Sequence, residues 1–215
     1  MLAKRESKYE ALVASLFILH FAAQLYNVVM NTFYAKNRQE WRQWLSEHFE
    51  SEKEIWFVFP TVASGEEGVT YNDAVEEALC FGWIDGQAGT LDENHGIRRF
   101  TPRRKGSSYS RPNIERLIWL EEQGMIHPAV RPSVLPIINE PYVFPKDIMA
   151  EIEKDQVAWE NFVKFSESYK RIRVAYIDAA RKRPEEFSKR LKSFLDKTRA
   201  GKLITGYGGI DKYYK

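Results

Sequence analysis

Apolar residues recur along this chain with two different periods, and the change of period separates helices from strands. In NRQEWRQWLSEHF, residues 37–49, Trp41, Trp44, Leu45 and either His48 or Phe49 fall at three- and four-residue steps on one face, which predicts an amphipathic helix. EIWFVFP, residues 54–60, is an unbroken aromatic and aliphatic run stopped by Pro60, and predicts a strand. SGEEG, residues 64–68, reads as a loop. Thr70 then precedes the helical pattern YNDAVEEALCF, with Asp73 three residues on as an approximate capping box. GWIDG and GIRRFTPRR predict two strands joined by the polar loop QAGTLDENH, and with EIWFVF they would make a small antiparallel sheet. A further helix starts at Ser110 or Arg111, carries Pro112 in its first turn, and ends at Gly124 as C-cap.

Beyond Gly124 the pattern breaks down. Residues 126–146 carry Pro128, Pro132, Pro136, Pro141 and Pro145, a composition that suits a linker better than a helix. Helical periods resume over about 147–154, 156–168, 169–183 and 184–200, before a glycine-containing tail, GKLITGYGGIDKYYK. The fold class is therefore α+β and predominantly helical: a small antiparallel sheet flanked by helices, then a helical carboxy-terminal section. The expected divisions are an extra segment at 1–29, an α+β core at 30–125, a linker at 126–146, a helical module at 147–203 and a flexible tail at 204–215. The apolar stretch ALVASLFILHFAAQLYNVVM, residues 11–30, leaves three readings open. Met30 is the natural start, or the stretch is an amphipathic helix, or it is a membrane anchor interrupted by His20, Gln24 and Asn27.

Composition narrows the function classes. With 215 residues and 44% hydrophobic content the chain can bury a sizeable core. Cys80 is its one cysteine and its four histidines are widely spaced, so neither an internal disulfide nor a multi-cysteine zinc site is available and no metal is expected. A net charge of +2 argues against a dedicated nucleic-acid binder. The charges are nevertheless segregated. Asp73, Glu76, Glu77, Asp85, Asp92 and Glu93 precede Arg98, Arg99, Arg103, Arg104, Lys105, Arg111 and Arg116, with Glu115 alone among the latter. Paired strands would let much of this charge neutralise itself at the surface.

The segment RRFTPRRKGSSYSRPN, residues 98–113, has a second reading. Arginines, hydroxyls and a helix amino terminus are the ingredients of an oxyanion site, and Tyr109 adds a flat ring. The plainer alternative is an arginine-rich solvated loop in which Ser110 only caps the helix. For Trp83 the plain reading is core packing, and for Asp85 a turn. The functional reading of Asp85 is a carboxylate partnered by arginine at a strand end. Cys80, at an apolar helix end, reads as an inert thiol.

The runs FYAKNRQEWRQWLSEHF, EIWFVF, YNDAVEEALCFGWIDG, RRFTPRRKGSSYSRPNIERL and EQGMI, with SYKRIRVAYIDAARKRPEEFSKRLKSFLDKTRAGK at the carboxy end, together resemble the YdeI/OmpD-associated, or bacteriocin-protection, family over residues 32–202. Tyr109 stands where that family usually has tryptophan, and KRPEEF replaces K-x-x-E-T-R, which weakens any anion site assigned there. The resemblance implies a small bacterial, cytoplasmic protein of stress or bacteriocin protection, and brings no catalytic mechanism and no cofactor. It also implies that Glu76, Glu77, Trp83, Asp85, Arg103, Ser108, Ser110 and Asn113 cluster.

The leading expectation is a site for a small anionic ligand, or an anionic segment of a protein partner, at the joined WIDG and FTPR loops. Arg103, with Arg104 beside it, would grip the anion; Ser108 and Ser110 would donate, Tyr109 would stack, and Asp85 would orient the arginine. Two alternatives are an enzyme on a phosphorylated or nucleotide-like substrate, with Glu77 or Asp85 as base, and nucleic-acid binding by the basic loop and the lysine-rich end helices, where Lys189, Arg190, Lys192 and Lys197 supply charge. A membrane partner enters only if residues 11–30 form an anchor.

Overall fold

The computed structural model describes residues 31–206 and 209–214, so the expectations for residues 1–29 and for the 11–30 stretch fall outside the described residues. Strand β1 (Thr32–Tyr34) leads into helix α1 (Arg38–His48), then strand β2 (Ile55–Pro60). Asn37 caps α1 by accepting from the Glu40 backbone N–H at 3.0 Å. Helix α2 (Tyr71–Cys80) follows, with the Thr70 hydroxyl accepting from Asp73 N–H and donating to its carboxylate, so Thr70 caps the helix through the pair of residues expected, by a hydroxyl–carboxylate bond. Strands β3 (Trp83–Thr90) and β4 (His95–Pro102) make a hairpin, longer than the GWIDG core predicts because residues 87–90 stay in the strand across a bulge between Asp85 and Ala88. Helix α3 (Arg111–Glu122) closes this part.

The four strands lie in the order β1-β2-β4-β3. The fold class is the expected helix-rich α+β, but the sheet is mixed rather than wholly antiparallel. β1 runs parallel to β2, while β4 is antiparallel to both β2 and β3. The reason is topological: α1 carries the chain back over the sheet, and a parallel neighbour needs such a crossover. Three residues of β1 are too few to show a period. Beneath the helices, Trp41, Leu45, Phe57, Leu79, Trp83 and Phe100 form one buried cluster. The Trp41 ring stands edge-on to Phe57 at 4.7 Å and its N–H reaches the Ala74 carbonyl at 3.1 Å. Truncating such a ring to alanine costs about 3–5 kcal/mol.

The proline-rich segment is not an open linker. Helix α4 (Arg131–Ile138) forms within it, with Val134 and Ile126 buried in the same first cluster. Pro132 sits in the first turn, where its missing N–H costs nothing, and Pro136 has little helix upstream to disrupt. Helices α5 (Lys146–Glu153), α6 (Gln156–Phe162), α7 (Glu167–Asp178) and α8 (Pro184–Arg199) build a second cluster around Ile148, Phe162, Tyr169 and Phe194. The predicted 156–168 helix stops early because Ser166 caps α7, accepting from Tyr169 N–H. The tail expected to be loose instead forms a 3-10 turn, Ile210–Tyr213, whose Ile210 and Tyr213 are buried with Ile172. Among the described residues no helix is long and apolar enough to cross a membrane.

Candidate functional site

Helix α2 presents Glu76 and Glu77 inward, both essentially without solvent exposure. Two buried carboxylates in sequence demand cations, and α1 supplies them. Arg38 and Arg42, one helical turn apart, face α2. Arg38 Nη1 donates to Glu76 at 2.7 Å and to Asp73 at 3.0 Å, while its Nε donates to Glu77. Arg42 Nη1 reaches Glu77 at 2.6 Å, and its Nη2 the Met125 carbonyl at 2.7 Å. From the far end of the chain, Lys212 Nζ donates to both Glu76 oxygens at 2.8 and 3.0 Å, and Tyr213 OH donates to Glu76 as well. Burial works to raise the Glu76 pKa, but the donors Lys212, Tyr213 and Arg38 outweigh it and hold the carboxyl below its ordinary 4.5. Asn72 donates to Glu76 at 2.9 Å and accepts from Arg116 at 3.0 Å, and Arg116 also reaches Asn113 at 2.9 Å. Asn113 is thus tied to this acid-centred network, not to the anion loop.

Asp85 faces neither Glu76 nor Arg103. It accepts from Tyr71 OH at 2.7 Å and lies 3.5 Å from Arg98 Nη1, with that guanidinium stacked 4.8 Å over the Tyr71 ring. Burial, then the Asp85 hydrogen bond, push the Tyr71 hydroxyl up to about 12. Asp85 is an arginine's partner, as one reading of the sequence had it, but the arginine is Arg98. The register explains this: Asp85 pairs with Phe100 across the hairpin, leaving Arg98 two residues along the same face. Trp83 is a core residue, 1% exposed, donating to the Phe49 carbonyl at 3.1 Å.

The basic loop folds on itself. The Arg103 guanidinium lies 3.6 Å over the Tyr109 ring, and its Nη2 donates to the Ser108 carbonyl at 2.7 Å and to Ser107 Oγ at 3.3 Å. Its backbone N–H is held by the Gly82 carbonyl at 2.9 Å. Arg103 therefore shapes the loop and covers the ring expected to stack a ligand. Ser110 stands at the α3 N-cap position but makes no side-chain cap bond. Among the described residues no carboxylate lies within ion-pair distance of Arg103, Arg104, Lys105 or Lys53, a contrast with the saturated acids of α2.

Two hollows flank this loop. The larger, about 740 Å³, runs between Arg103, Arg104 and Lys105 on one side and Phe81, Val130 and Ile137 on the other, with Ser108 and Tyr109 along its length. The smaller, about 440 Å³, is bordered by Lys53, Arg99, Thr101 and Arg104. The site the sequence assembled from WIDG and FTPR residues is thus divided. Arg103, Arg104, Ser108 and Tyr109 stay together with Ser110 adjacent in the chain; Glu76, Glu77 and Asn113 belong to a separate network; Asp85 pairs elsewhere; Trp83 is core.

Sequence reading missed Arg38, Arg42, Lys212 and Tyr213. The signal present was the four-residue spacing of Arg38 and Arg42 on the helix packed beside two adjacent glutamates. It also missed the α4 wall, hidden by its prolines. Among the described residues no group of three or more His, Cys, Asp or Glu side chains could hold a metal ion.

Residues 141–201, which hold the run SYKRIRVAYIDAARKRPEEFSKRLKSFLDKTRAG, match a family model described as bacteriocin-protection, YdeI or OmpD-associated, so the expected resemblance is found over this part and not over the whole of 32–202. Residues 33–133, which carry the WIDG and FTPR motifs, match a separate model described as a domain of unknown function, DUF8412. No curated protein and no solved structure matches the chain.

Proposed function

We propose that the protein acts in stress or bacteriocin protection in the cytoplasm by binding an anionic ligand or anionic partner segment at the basic loop of its amino-terminal unit; the match of residues 141–201 to the bacteriocin-protection, YdeI or OmpD-associated model supports the first part of this reading. One observation carries the binding reading: Arg104, Lys105 and Lys53 border two open hollows without a carboxylate partner, while the buried acids nearby are saturated with cations. Unpaired cations over a concave surface attract anions and fork onto phosphate or carboxylate oxygens. Arg103 contributes by fixing the loop. Ser108 supplies a hydroxyl inside the larger hollow.

The enzyme reading needs a base that is free to take a proton. Glu77 lies between two arginines and Asp85 between Tyr71 and Arg98, so neither is arranged as one. The nucleic-acid reading adds α8 to the basic loop, but there Arg190 pairs with Glu186 and Lys192 with Asp196, each at 2.7 Å, which leaves only Lys189 and Lys197 of that set. Titration of the full chain with inorganic phosphate and pyrophosphate at low salt, followed by calorimetry, tests the proposal. Arg104→Glu should weaken pyrophosphate binding at least tenfold with an unchanged melting temperature. Equal binding of pyrophosphate by that variant, or a wild type that binds no anion tested, refutes it.

A further inference from the structure

The larger hollow is not uniformly polar, and its two walls differ in kind. One wall is the basic loop; the other is built from Phe49, Phe81, Ile114, Val130 and Ile137, carried by the ends of α1 and α2, the first turn of α3, and the α4 segment. Phe49, Ile114, Val130 and Ile137 are only partly buried, so apolar surface remains open to the hollow. A solvated basic loop needs no such wall behind it. Open apolar surface facing uncompensated cations favours an occupant with both characters.

Resting on the anion-binding reading above, we infer that the larger groove takes a small amphiphilic monoanion. Its hydrocarbon or aromatic body would lie on Phe49, Ile114, Val130 and Ile137, and its single carboxylate head would meet Arg104 and Lys105. Size supports a small molecule, because about 740 Å³ falls within the range of drug-sized sites. Charge supports one head group and no more. Glu50 and Glu140 also border the groove and would repel a polyanion lying along it. The smaller hollow on the other side of the loop lacks such acids and lacks a broad apolar wall, so the amphiphile is specific to the larger one.

The geometry also assigns α4 a role. Its helix, formed against the expectation of a linker, holds Ile137 and positions Val130 3.5 Å from where a Gly82 Cβ would stand. Gly82, at the α2–β3 junction, thereby keeps the groove floor low.

The test uses the full chain with decanoate below its micelle concentration, acetate as head alone, and decanol as body alone, read by calorimetry and by amide chemical shifts. Decanoate should bind at least a hundredfold more tightly than acetate and at least tenfold more tightly than decanol. Ile137→Glu and Arg104→Glu should each weaken decanoate at least tenfold at unchanged melting temperature. If acetate and decanoate bind equally, and Arg104→Glu abolishes both, the amphiphile is overturned while the anion reading stands. Decanol binding as tightly as decanoate overturns the role of the head group. If neither decanoate nor pyrophosphate binds, both readings fall.

Discussion

The contact of Lys212 and Tyr213 with Glu76 permits a quantitative prediction. Glu76→Ala removes the acceptor of Tyr213, Lys212, Asn72 and one Arg38 nitrogen. Arg38 keeps Glu77 and Asp73, and Lys212, about a third exposed, can turn to water. Tyr213, 3% exposed, cannot: its hydroxyl proton is left without a described acceptor. A buried donor left unmade costs about 1–3 kcal/mol, and charge-assisted hydrogen bonds about 1.5–3. Discounting Lys212 for its exposure, and crediting the relief of not burying a carboxylate, leaves a net loss of about 2–4 kcal/mol. At roughly 2–4 °C per kcal/mol for a chain of this size, the melting temperature should fall by about 5–15 °C. Lys212→Met removes the ammonium, and with it both the Glu76 pair and the contact of Nζ 3.8 Å over the Trp119 ring, so it should cost about 1–2 kcal/mol alone. Urea denaturation followed by circular dichroism gives the double-mutant cycle, in which the pair should couple by about 0.5–1.5 kcal/mol. The coupling must also depend on pH. The Glu76 pKa is held below 4.5 in the fold, so its contribution is complete above 4.5 and fades as pH falls through the folded value. Additive single variants at pH 7, or a Glu76→Ala protein as stable as wild type, would refute the reasoning.

Other outcomes follow from the same contacts. His95, whose ring nitrogens meet Asp92 at 2.8 Å and Glu66 at 3.2 Å, has its pKa raised from 6.5, chiefly by the Asp92 hydrogen bond. It should titrate above 6.5 in imidazole NMR, with the hairpin-tip contacts favourable below that pH and lost as pH rises through the folded value; titration at or below 6.5 would refute this. Cys80, buried and with its thiol pushed up to about 12 by burial and then by Glu77, should resist a thiol reagent in the native protein and react fully in denaturant. Gly82 has φ +71° with room for a methyl group, so Gly82→Ala should cost about 1–2 kcal/mol of backbone strain alone, measurable as a shifted urea midpoint. A neutral substitution would mean that the backbone relaxes.

Much of the fold was legible because it rests on local rules. The Thr70 cap, the Pro60 stop and the period of Trp41 and Leu45 all act within a few residues, and each element they predict forms. What was not legible depends on distant partners. The α4 helix exists despite Pro136 because Val134 gains burial against the first core, which no local propensity records. The parallel placement of β1 follows from where α1 packs. The candidate site divided for the same reason. Proximity in sequence placed Asp85 beside Arg103, whereas the hairpin register hands it Arg98, and Glu76 finds partners from residues 38 and 212. The basic loop survived as a unit because its contacts, Arg103 to Ser107, Ser108 and Tyr109, span six residues or fewer.

The Tyr213–Glu76 bond joins residues 137 positions apart, among the least local contacts in the fold. Closing so long a loop carries a high entropic cost and yields only a short turn in return, so it has little reason to form early. The first core can assemble around Trp41 and Phe57 without it, but Glu76 then waits half-satisfied. A nascent chain would therefore pass through a state in which a buried carboxylate has Arg38 and Asn72 but lacks Lys212 and Tyr213. If the tail docks after the folding transition state, its contacts slow unfolding and leave the rate of folding nearly unchanged.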